Sequence, residues 1–421
     1  MLSKWQWLRL QLTRTLWVRA SLYGLLAVAT AIVAMVLEPF IPEDLAGRIG
    51  ADAVDHLLDI LASSMLAVTT FSLTVMVSAY SAATSSVTPR AIRLLMQDTT
   101  TQNVLSTFLG SFIFSLAGIV GLSAGAYGES GRVVLYAVCL AVIVVVVLTM
   151  LRWIQHLSHF GRVGDTTARV EQAAWQALCD RVRNPYLGGR PLLSHDDIPG
   201  TAKAVRAGAV GYVQHLDMQC LDDCTRTHSG QVFVVATPGC FVGLGEVLAY
   251  VVAMPDLARE AVDRAFTIGA ERSFDQDPRF GLCVLAEIAS RALSPAVNDP
   301  GTAIDVLGRA VRVLSSCASE APNEPIQPNY PGVWVPPVTL DDMFDDIFAP
   351  IARDGASLFE VVVRVQKSLL ALARLDAQRF GKPALRHAEQ TRLRAEHALQ
   401  LNDEKRRIAG LAVQVAQEVT E

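Results

Sequence analysis

Four blocks of apolar residues dominate the first 160 positions of the chain. A hydrocarbon core of about 30 Å requires about 20 residues of helix, and the blocks at 20–37, 57–80, 104–126 and 133–154 meet that length. The last block carries no charge between Val133 and Leu151, and its length favours a membrane helix over a buried strand. The pattern therefore predicts four transmembrane helices.

The second block differs from the others because a polar stripe runs along one side of it. At 100° per residue, its acids, its histidine and several hydroxyl groups project to one side of a continuous helix. They are Asp52, Asp55, His56, Asp59, Ser63, Thr70, Thr74 and Ser81. Hydrocarbon cannot satisfy such groups, so the stripe must face protein or water.

Two interpretations of this stripe remain open. In the first it lines a water-filled pore whose acidic outer mouth favours cations. In the second, hydroxyls and small residues such as Ala62, Ser63, Ser64 and Ala67 allow close helix packing, and the hydroxyls bond back to their own helix.

Basic residues between the apolar blocks predict the orientation. The flanks that the positive-inside rule assigns to the cytoplasm hold Lys4, Arg9, Arg14, Arg19, Arg90, Arg93, Arg152 and Arg162, whereas the opposite side holds Arg48 and Arg132. Both termini are therefore expected in the cytoplasm. Residues 1–20 mix basic residues with Leu and Trp, which predicts a helix lying at the membrane surface.

After position 162 the charge density is that of a water-soluble protein, and the pattern predicts an α+β region. A helix at 163–183 precedes short alternating runs at 208–216, 231–237 and 246–252. Gly and Pro turns separate these runs, which predicts a small β-barrel-like unit. Helices are predicted at 257–269, 282–292, 302–316 and 340–419, with a Pro-rich surface loop at 321–338. The predicted domains are a membrane domain at 1–160, a linker helix with a β subdomain at 161–255, and a helical subdomain at 256–421.

Composition narrows the class of function. Hydrophobic residues make up 51% of the chain and the net charge is -5, which favours a membrane protein and argues against a nucleic-acid partner. The seven cysteines are scattered and are expected to be reduced. His215, Cys220, Cys224 and His228 have the residue types of a zinc site but not the spacing of a standard finger, so no metal is predicted. Phosphate-loop, dinucleotide and hydrolase motifs are absent from the sequence, so neither a cofactor nor an enzyme is predicted.

The stretch from Glu271 to Arg309 contains the segment SPAVNDPGTA and resembles the signature of a family of bacterial predicted membrane proteins, domain of unknown function family 2254. The segments FSLTVMVSAYSAATSSVTPR at 71–90 and MQDTTTQN at 96–103 agree with the same family. The resemblance covers nearly the whole chain. It implies the architecture rather than a particular chemistry.

The same stretch concentrates charged and polar residues, namely Arg272, Asp275, Asp277, Arg279, Glu287, Arg291, Asn298 and Asp299. Glu287 and Arg291 are one helical turn apart, and Asn298 or Asp299 can accept from free amides at the start of the next helix. We expect the group to join and cap two helices. The alternative is that it binds a charged regulator or an ion.

The leading hypothesis is a homo-oligomeric channel or channel-like transporter in the bacterial cytoplasmic membrane, whose partners are membrane lipids and further copies of the chain. Four helices per chain are few for a self-contained transporter, and an oligomer can enclose a pore. The alternative is a membrane-anchored scaffold or sensor whose C-terminal region binds a partner or a small ligand.

Overall fold

A computed structural model describes residues 51–96, 98–125, 127–157, 162–319 and 327–420, with isolated positions between 21 and 33. The surface helix predicted at 1–20 and, apart from those positions, the first predicted span lie outside the described residues. The chain divides into two compact units. The membrane unit includes the described residues up to Ser85 and Ile92–Asp165, and the C-terminal unit includes Ser86–Ala91 and the described residues from Thr166 onward.

Three helices in the described part of the membrane unit are long and apolar enough to span a bilayer. They are α1 (Ala51–Ser86), α3 (Thr99–Ser123) and α4 (Glu129–Leu157), and the short helix α2 (Pro89–Met96) lies between the first two in sequence. These helices correspond to the second, third and fourth predicted spans.

Large apolar side chains hold the three helices together. Leu58 of α1 packs with Phe114 of α3 and Leu135 of α4. A second cluster joins Met65 of α1 to Phe108 of α3 and to α4. Each cluster contains side chains of all three helices. The face of α1 that carries Leu58 and Met65 is therefore its packing face.

A tight turn joins α3 to α4, and two glycines account for it. Gly125 has a φ of +68°, a left-handed conformation that glycine adopts at little cost and that commonly ends a helix. At Gly121 an added Cβ would lie 2.6 Å from Cε2 of Tyr127, so only glycine lets that ring fold back onto α3. The short connection makes α3 and α4 antiparallel neighbours, as predicted.

Most of α5 (Val163–Arg183) belongs to the C-terminal unit, and two sheets follow it along the chain. The strands are β1 (Arg190–Pro191), β2 (Lys203–Arg206), β3 (Gly211–Leu216), β4 (Gln231–Val234), β5 (Phe241–Val242), β6 (Val247–Val252), β7 (Phe266–Gly269) and β8 (Val333–Val335). The larger sheet has the order β1-β8-β4-β6-β2 and the smaller one β5-β3-β7. Leu216, Leu248 and Val333 belong to one buried core that both sheets share.

The predicted barrel-like unit is not found among the described residues, because the strands form two open sheets. The edges of the larger sheet are β1, which has two residues, and β2, which pairs only with β6. The chain also leaves β3 for a helix, α6 (Met218–His228), rather than for a neighbouring strand. Asp217 starts α6 by accepting from the Cys220 amide at 3.1 Å, and N-capping of this kind favours a helix at that point.

Helices form the remainder of this unit. They are α7 (Asp256–Ala265), α8 (Phe280–Ala292), α9 (Pro300–Ser319), α10 (Leu340–Asp354), α11 (Phe359–Leu375), α12 (Ala377–Ala398) and α13 (Asn402–Thr420). The helix predicted at 257–269 ends at Ala265, because the next four residues pair with β3 as β7. The predicted surface loop at 321–338 contributes β8, in which Val333 and Val335 are fully buried.

Candidate functional site

The polar stripe of α1 lies on the exposed side of that helix. Asp55, Asp59, Ser63, Thr70, Thr74 and Ser81 are all exposed, whereas Val54, Leu58, Leu61 and Met65 are buried. At 100° per residue these two sets lie on roughly opposite sides of the helix. Asp52 also belongs to α1, but its side chain is outside the described part.

The hydroxyls of the stripe bond back to their own helix. Thr70 Oγ1 donates to the Leu66 carbonyl at 3.0 Å, Thr74 Oγ1 to the Thr70 carbonyl at 3.0 Å, and Ser63 Oγ to the Asp59 carbonyl at 2.9 Å. A hydroxyl satisfied in this way can face water or a second helix without a large cost. The oxygen keeps a lone pair with which it can accept from water or contact a cation.

Among the small residues considered for packing, Ala62 is buried while Ser63, Ser64 and Ala67 are exposed. Within one chain, therefore, the packing face and the polar face of α1 are different surfaces. Exposed apolar side chains lie beside the stripe, such as Phe71 at 64%, and also along it, such as Val77 at 57%. This exposed side of α1 is a surface that lipid or a second chain can cover.

In the charged motif of the C-terminal unit, Asp277 is the central residue. It is 2% exposed and forms a bidentate pair with Arg272 at 2.7 and 3.0 Å. The same carboxylate accepts from the backbone amides of Arg279 and Phe280 at 3.1 and 3.2 Å, at the start of α8. Bidentate pairing to a buried carboxylate is the strong form of this interaction, and it raises the pKa of Arg272 against the opposing effect of burial.

Arg279 connects α8 to α10. Its guanidinium pairs with Asp346 at 2.7 and 3.0 Å and approaches Asp342 at 3.3 Å. Hydrogen bonds from Arg279 to Asp346 raise the pKa of this arginine. The sequence did not indicate Asp346 as a partner, because it lies 67 positions further along the chain and in a different helix.

The other motif residues occupy turns and surfaces. Asp299 starts α9 by accepting from the Thr302 amide at 3.1 Å, and hydrogen bonds from Thr302 lower the pKa of Asp299. Asn298 adopts a φ of +50° in the preceding turn. Glu287 pairs with Arg90 at 2.7 Å within this unit, and exposed Asp275 accepts from Ser273 at 3.1 Å. Arg291 is half-buried near the end of α8.

The structure also reveals a partly buried pair inside the membrane unit that the sequence did not indicate. Asp98 starts α3 by accepting from the Thr101 amide at 3.0 Å, and His156 Nε2 of α4 lies 2.8 Å from its Oδ2. The ring of His156 stacks on Trp153.

The four residues of the possible zinc site lie at two different places in the structure. His215 is 1% exposed and belongs to β3, whereas Cys220, Cys224 and His228 line an open cleft of about 350 Å³ along α6. Burial, Cys224 and Asp217 raise the pKa of Cys220 to about 11, and burial raises the pKa of Cys224. Within the described part of the chain, no set of three or more His, Cys, Asp or Glu side chains converges to hold a metal ion.

Comparisons with known proteins agree with the family resemblance. Residues 13–371 match the predicted membrane protein family DUF2254. An uncharacterized protein of Mycobacterium bovis and one of Mycobacterium tuberculosis are each 27% identical to the chain over 337 residues, which cover 77% of this chain and 63% of the relative. The chain thus spans less than two thirds of the length of these relatives. No solved structure matches it. The family match extends over most of the chain and over both units, and the protein therefore belongs to the DUF2254 family of predicted membrane proteins.

Proposed function

We propose that the protein forms a homo-oligomeric cation channel, without enzymatic activity of its own, in the bacterial cytoplasmic membrane. The observation that carries the proposal is the exposed polar stripe of α1. A membrane helix with carboxylates and hydroxyls on its surface is stable only if protein or water covers that surface. Copies of the chain arranged around an axis would place the stripes of several α1 helices around shared water.

Charge along the stripe favours cations. Asp55 and Asp59 are exposed near the start of α1, and the positive-inside rule places this end of the helix outside. A ring of such carboxylates from several subunits raises the local concentration of cations at the mouth. Hydroxyls of Ser63, Thr70 and Thr74 then provide polar contacts along the path. The C-terminal unit would assemble or gate the oligomer from the cytoplasm.

Ion flux into proteoliposomes tests the pore. Replacing Thr70 and Thr74 together by Leu removes two hydroxyls and narrows the path, so we expect flux to fall about 10-fold or more, as for a barrier of about 1.4 kcal/mol. The control is Ser64→Leu, which alters an exposed hydroxyl to one side of the stripe and should retain flux. A loss of flux in Ser64→Leu equal to that in the double variant would contradict a path along the stripe.

The mass of the complex in detergent provides a second, independent test. A monomer presents three candidate spans in its described part, too few to enclose water, so the proposal requires several chains per complex. A monomeric mass, or no flux at any pH or voltage, would favour the anchored scaffold or sensor instead.

A further inference from the structure

Two arginines from neighbouring helices of the C-terminal unit meet above a glycine. Gly308 lies on α9, and a Cβ added there would be 3.6 Å from Nη2 of Arg364 and 3.9 Å from Nη1 of Arg312. Arg312 belongs to α9 and Arg364 to α11, and these two helices pack against each other. Because both nitrogens lie close to one point, the two guanidinium groups converge, and the glycine leaves room between them.

Both arginines have donors left for a ligand. Arg312 directs Nε and Nη2 at Glu171 of α5, at 2.7 and 3.1 Å, so its Nη1 remains a donor on the side of Gly308. Arg364 is exposed. Within the described part of the chain its guanidinium forms no ion pair or hydrogen bond, not even with Glu360 one turn before it on α11.

The carboxylates beside this point are already paired. Arg309 of α9 shares Glu171 with Arg312 and also pairs with Asp305, in each case at 2.7 Å. Two carboxylates therefore serve two guanidinium groups, and Arg364 adds a third positive charge that they do not compensate. Like charges held close together repel each other, so an anion bound between Arg312 and Arg364 would stabilise the arrangement.

We propose that Arg312 and Arg364 bind a phosphate group above Gly308, between α9 and α11. A tetrahedral oxyanion presents several oxygens, so one phosphate can accept from Nη1 of Arg312 and from Nη2 of Arg364 at the same time. Guanidinium groups suit this role because they keep their charge and donate from a planar fork that matches phosphate. A soluble phosphate and the phosphate headgroup of a lipid share this chemistry, and either can supply the group.

Thermal unfolding of the full-length protein in phosphatidylcholine nanodiscs tests the site with inorganic phosphate, compared with chloride at equal ionic strength. Phosphate should raise the melting temperature by about 2 °C or more, because a ligand that binds only the folded state stabilises it. Arg364→Gln should weaken the apparent affinity for phosphate about 10-fold or more, as expected for loss of a charge-assisted hydrogen bond. The matched control is Arg374→Gln, which should keep the native affinity, because Arg374 is an exposed arginine of the same helix that pairs with Glu418.

Substitutions at Gly308 test the site while both arginines are kept. Gly308→Glu places a carboxylate beside the two guanidinium groups, where it should replace the phosphate. This variant should therefore lose the response to phosphate and, in phosphate-free buffer, melt at a higher temperature than Gly308→Ala. Gly308→Ala is the reference because it supplies the helix propensity that any replacement of glycine adds. Both substitutions fit the fold, since the added Cβ meets only the ends of two flexible side chains.

A second bilayer composition identifies the source of the phosphate. Nanodiscs that contain phosphatidic acid carry a phosphate that no choline covers. If the ligand is a headgroup, phosphatidic acid should raise the melting temperature of the native protein but not that of Arg364→Gln, and inorganic phosphate should add little. Stabilisation by inorganic phosphate in phosphatidylcholine nanodiscs, without an effect of phosphatidic acid, would identify a soluble ligand. Either result supports the phosphate site.

Three results would overturn the proposal. They are no stabilisation by either form of phosphate beyond that of chloride, an equal loss of response in Arg374→Gln and Arg364→Gln, or an unchanged response in Gly308→Glu. Helical circular dichroism of each variant, compared with that of the native protein, distinguishes loss of binding from loss of the fold. The pore can fail its own flux test without affecting this result, because the two sites share no residue.

Discussion

At the scale of single residues, the charged motif makes contacts that connect and cap secondary-structure elements. Asp277 serves three donors at once: the Arg272 guanidinium and the amides of Arg279 and Phe280. Gly239 lies against the same carboxylate, since an added Cβ there would lie 2.4 Å from Asp277 Oδ2. A single buried carboxylate thus fixes the start of α8 and the approach of a β-turn, which supports the expected role in joining and capping elements.

Asp277→Ala should destabilise the protein by about 3–5 kcal/mol, because it leaves a half-buried guanidinium without its bidentate partner and removes two amide contacts. The matched control is Asp275→Ala, an exposed aspartate two positions away, which we expect to cost under about 1 kcal/mol. Chemical unfolding in detergent, followed by tryptophan fluorescence, measures both. Similar losses for the two variants would show that Asp277 does not have this central role.

Acid should destabilise the protein through His387. Its ring is 1% exposed and lies near Phe344 and Phe348, and burial followed by Arg386 lowers its pKa to about 4. Between the ordinary histidine pKa of about 6.5 and this value, the unfolded chain binds a proton that the folded chain does not. Stability is therefore lost as the pH falls, by up to about 1.4 kcal/mol per pH unit from this group.

Melting temperatures measured from pH 6.5 to pH 4 test whether stability falls as the pH falls. His387→Phe places another ring beside the two phenylalanines and removes the titrating group, so its melting temperature should depend less on pH than that of the native protein. His397→Phe, at an exposed position of the same helix α12, should keep the native dependence. Parallel curves for the native protein and His387→Phe would exclude His387 as the cause.

At the scale of elements, close helix contacts depend on glycine at particular positions. Gly281 of α8 packs against α5, where an added Cβ would lie 2.3 Å from the Cβ of Ala174. Gly410 of α13 has no such neighbour, since nothing lies within 4 Å of its added Cβ. The same substitution should therefore have opposite effects at the two positions.

Gly281→Ala should destabilise by about 1–3 kcal/mol, because α5 and α8 must move apart to admit the methyl group. Gly410→Ala should stabilise by about 0.5–1 kcal/mol, because alanine favours the helix and meets no obstacle. Unfolding midpoints of the two variants and the native protein decide the comparison. A loss of stability in both would mean that helix propensity does not govern position 410.

The local pattern of apolar and polar residues was sufficient to predict the long helices but not the short strands. The predicted helix at 163–183 matches α5, because its length and periodicity are encoded in the local sequence. The four-residue β7 and the three-residue β8 were missed, since their partners β3 and β4 lie far away in sequence and set their conformation. Asp346 was missed for the same reason, whereas Asp299, whose partner Thr302 is three positions away, was predicted.

At the scale of the whole molecule, one chain leaves the polar stripe of α1 uncovered. Only 22% of the most apolar window of α1 is buried within the chain, against 17% for α4 and 56% for α3, so α1 and α4 both expose apolar surface and α1 exposes carboxylates as well. The hydroxyl groups are satisfied locally, whereas Asp55 and Asp59 are carboxylates that hydrocarbon would not tolerate. Further copies of the chain that cover this side would bury its apolar side chains and enclose water around its polar ones. The fold is therefore consistent with the proposed oligomer.

The channel proposal also fixes an orientation, because the acidic end of α1 is assigned to the outer mouth. The flanks of the described spans hold Arg90, Arg93, Arg152 and Arg162 on one side and Arg132 on the other, and by the positive-inside rule this difference predicts a cytoplasmic C-terminal unit. A membrane-impermeant maleimide should therefore leave Cys240 unlabelled in intact spheroplasts and label it in inside-out vesicles.

Two variants make the orientation test specific. Cys240→Ser identifies the signal that comes from that exposed thiol, and Gly128→Cys places a new thiol in the exposed turn between α3 and α4, which should be labelled in intact spheroplasts. The opposite pattern for both thiols would place Asp55 and Asp59 at the cytoplasmic end. A cation path could then still exist, but its carboxylates would concentrate ions from inside the cell, and the C-terminal unit could no longer act on the channel from the cytoplasm.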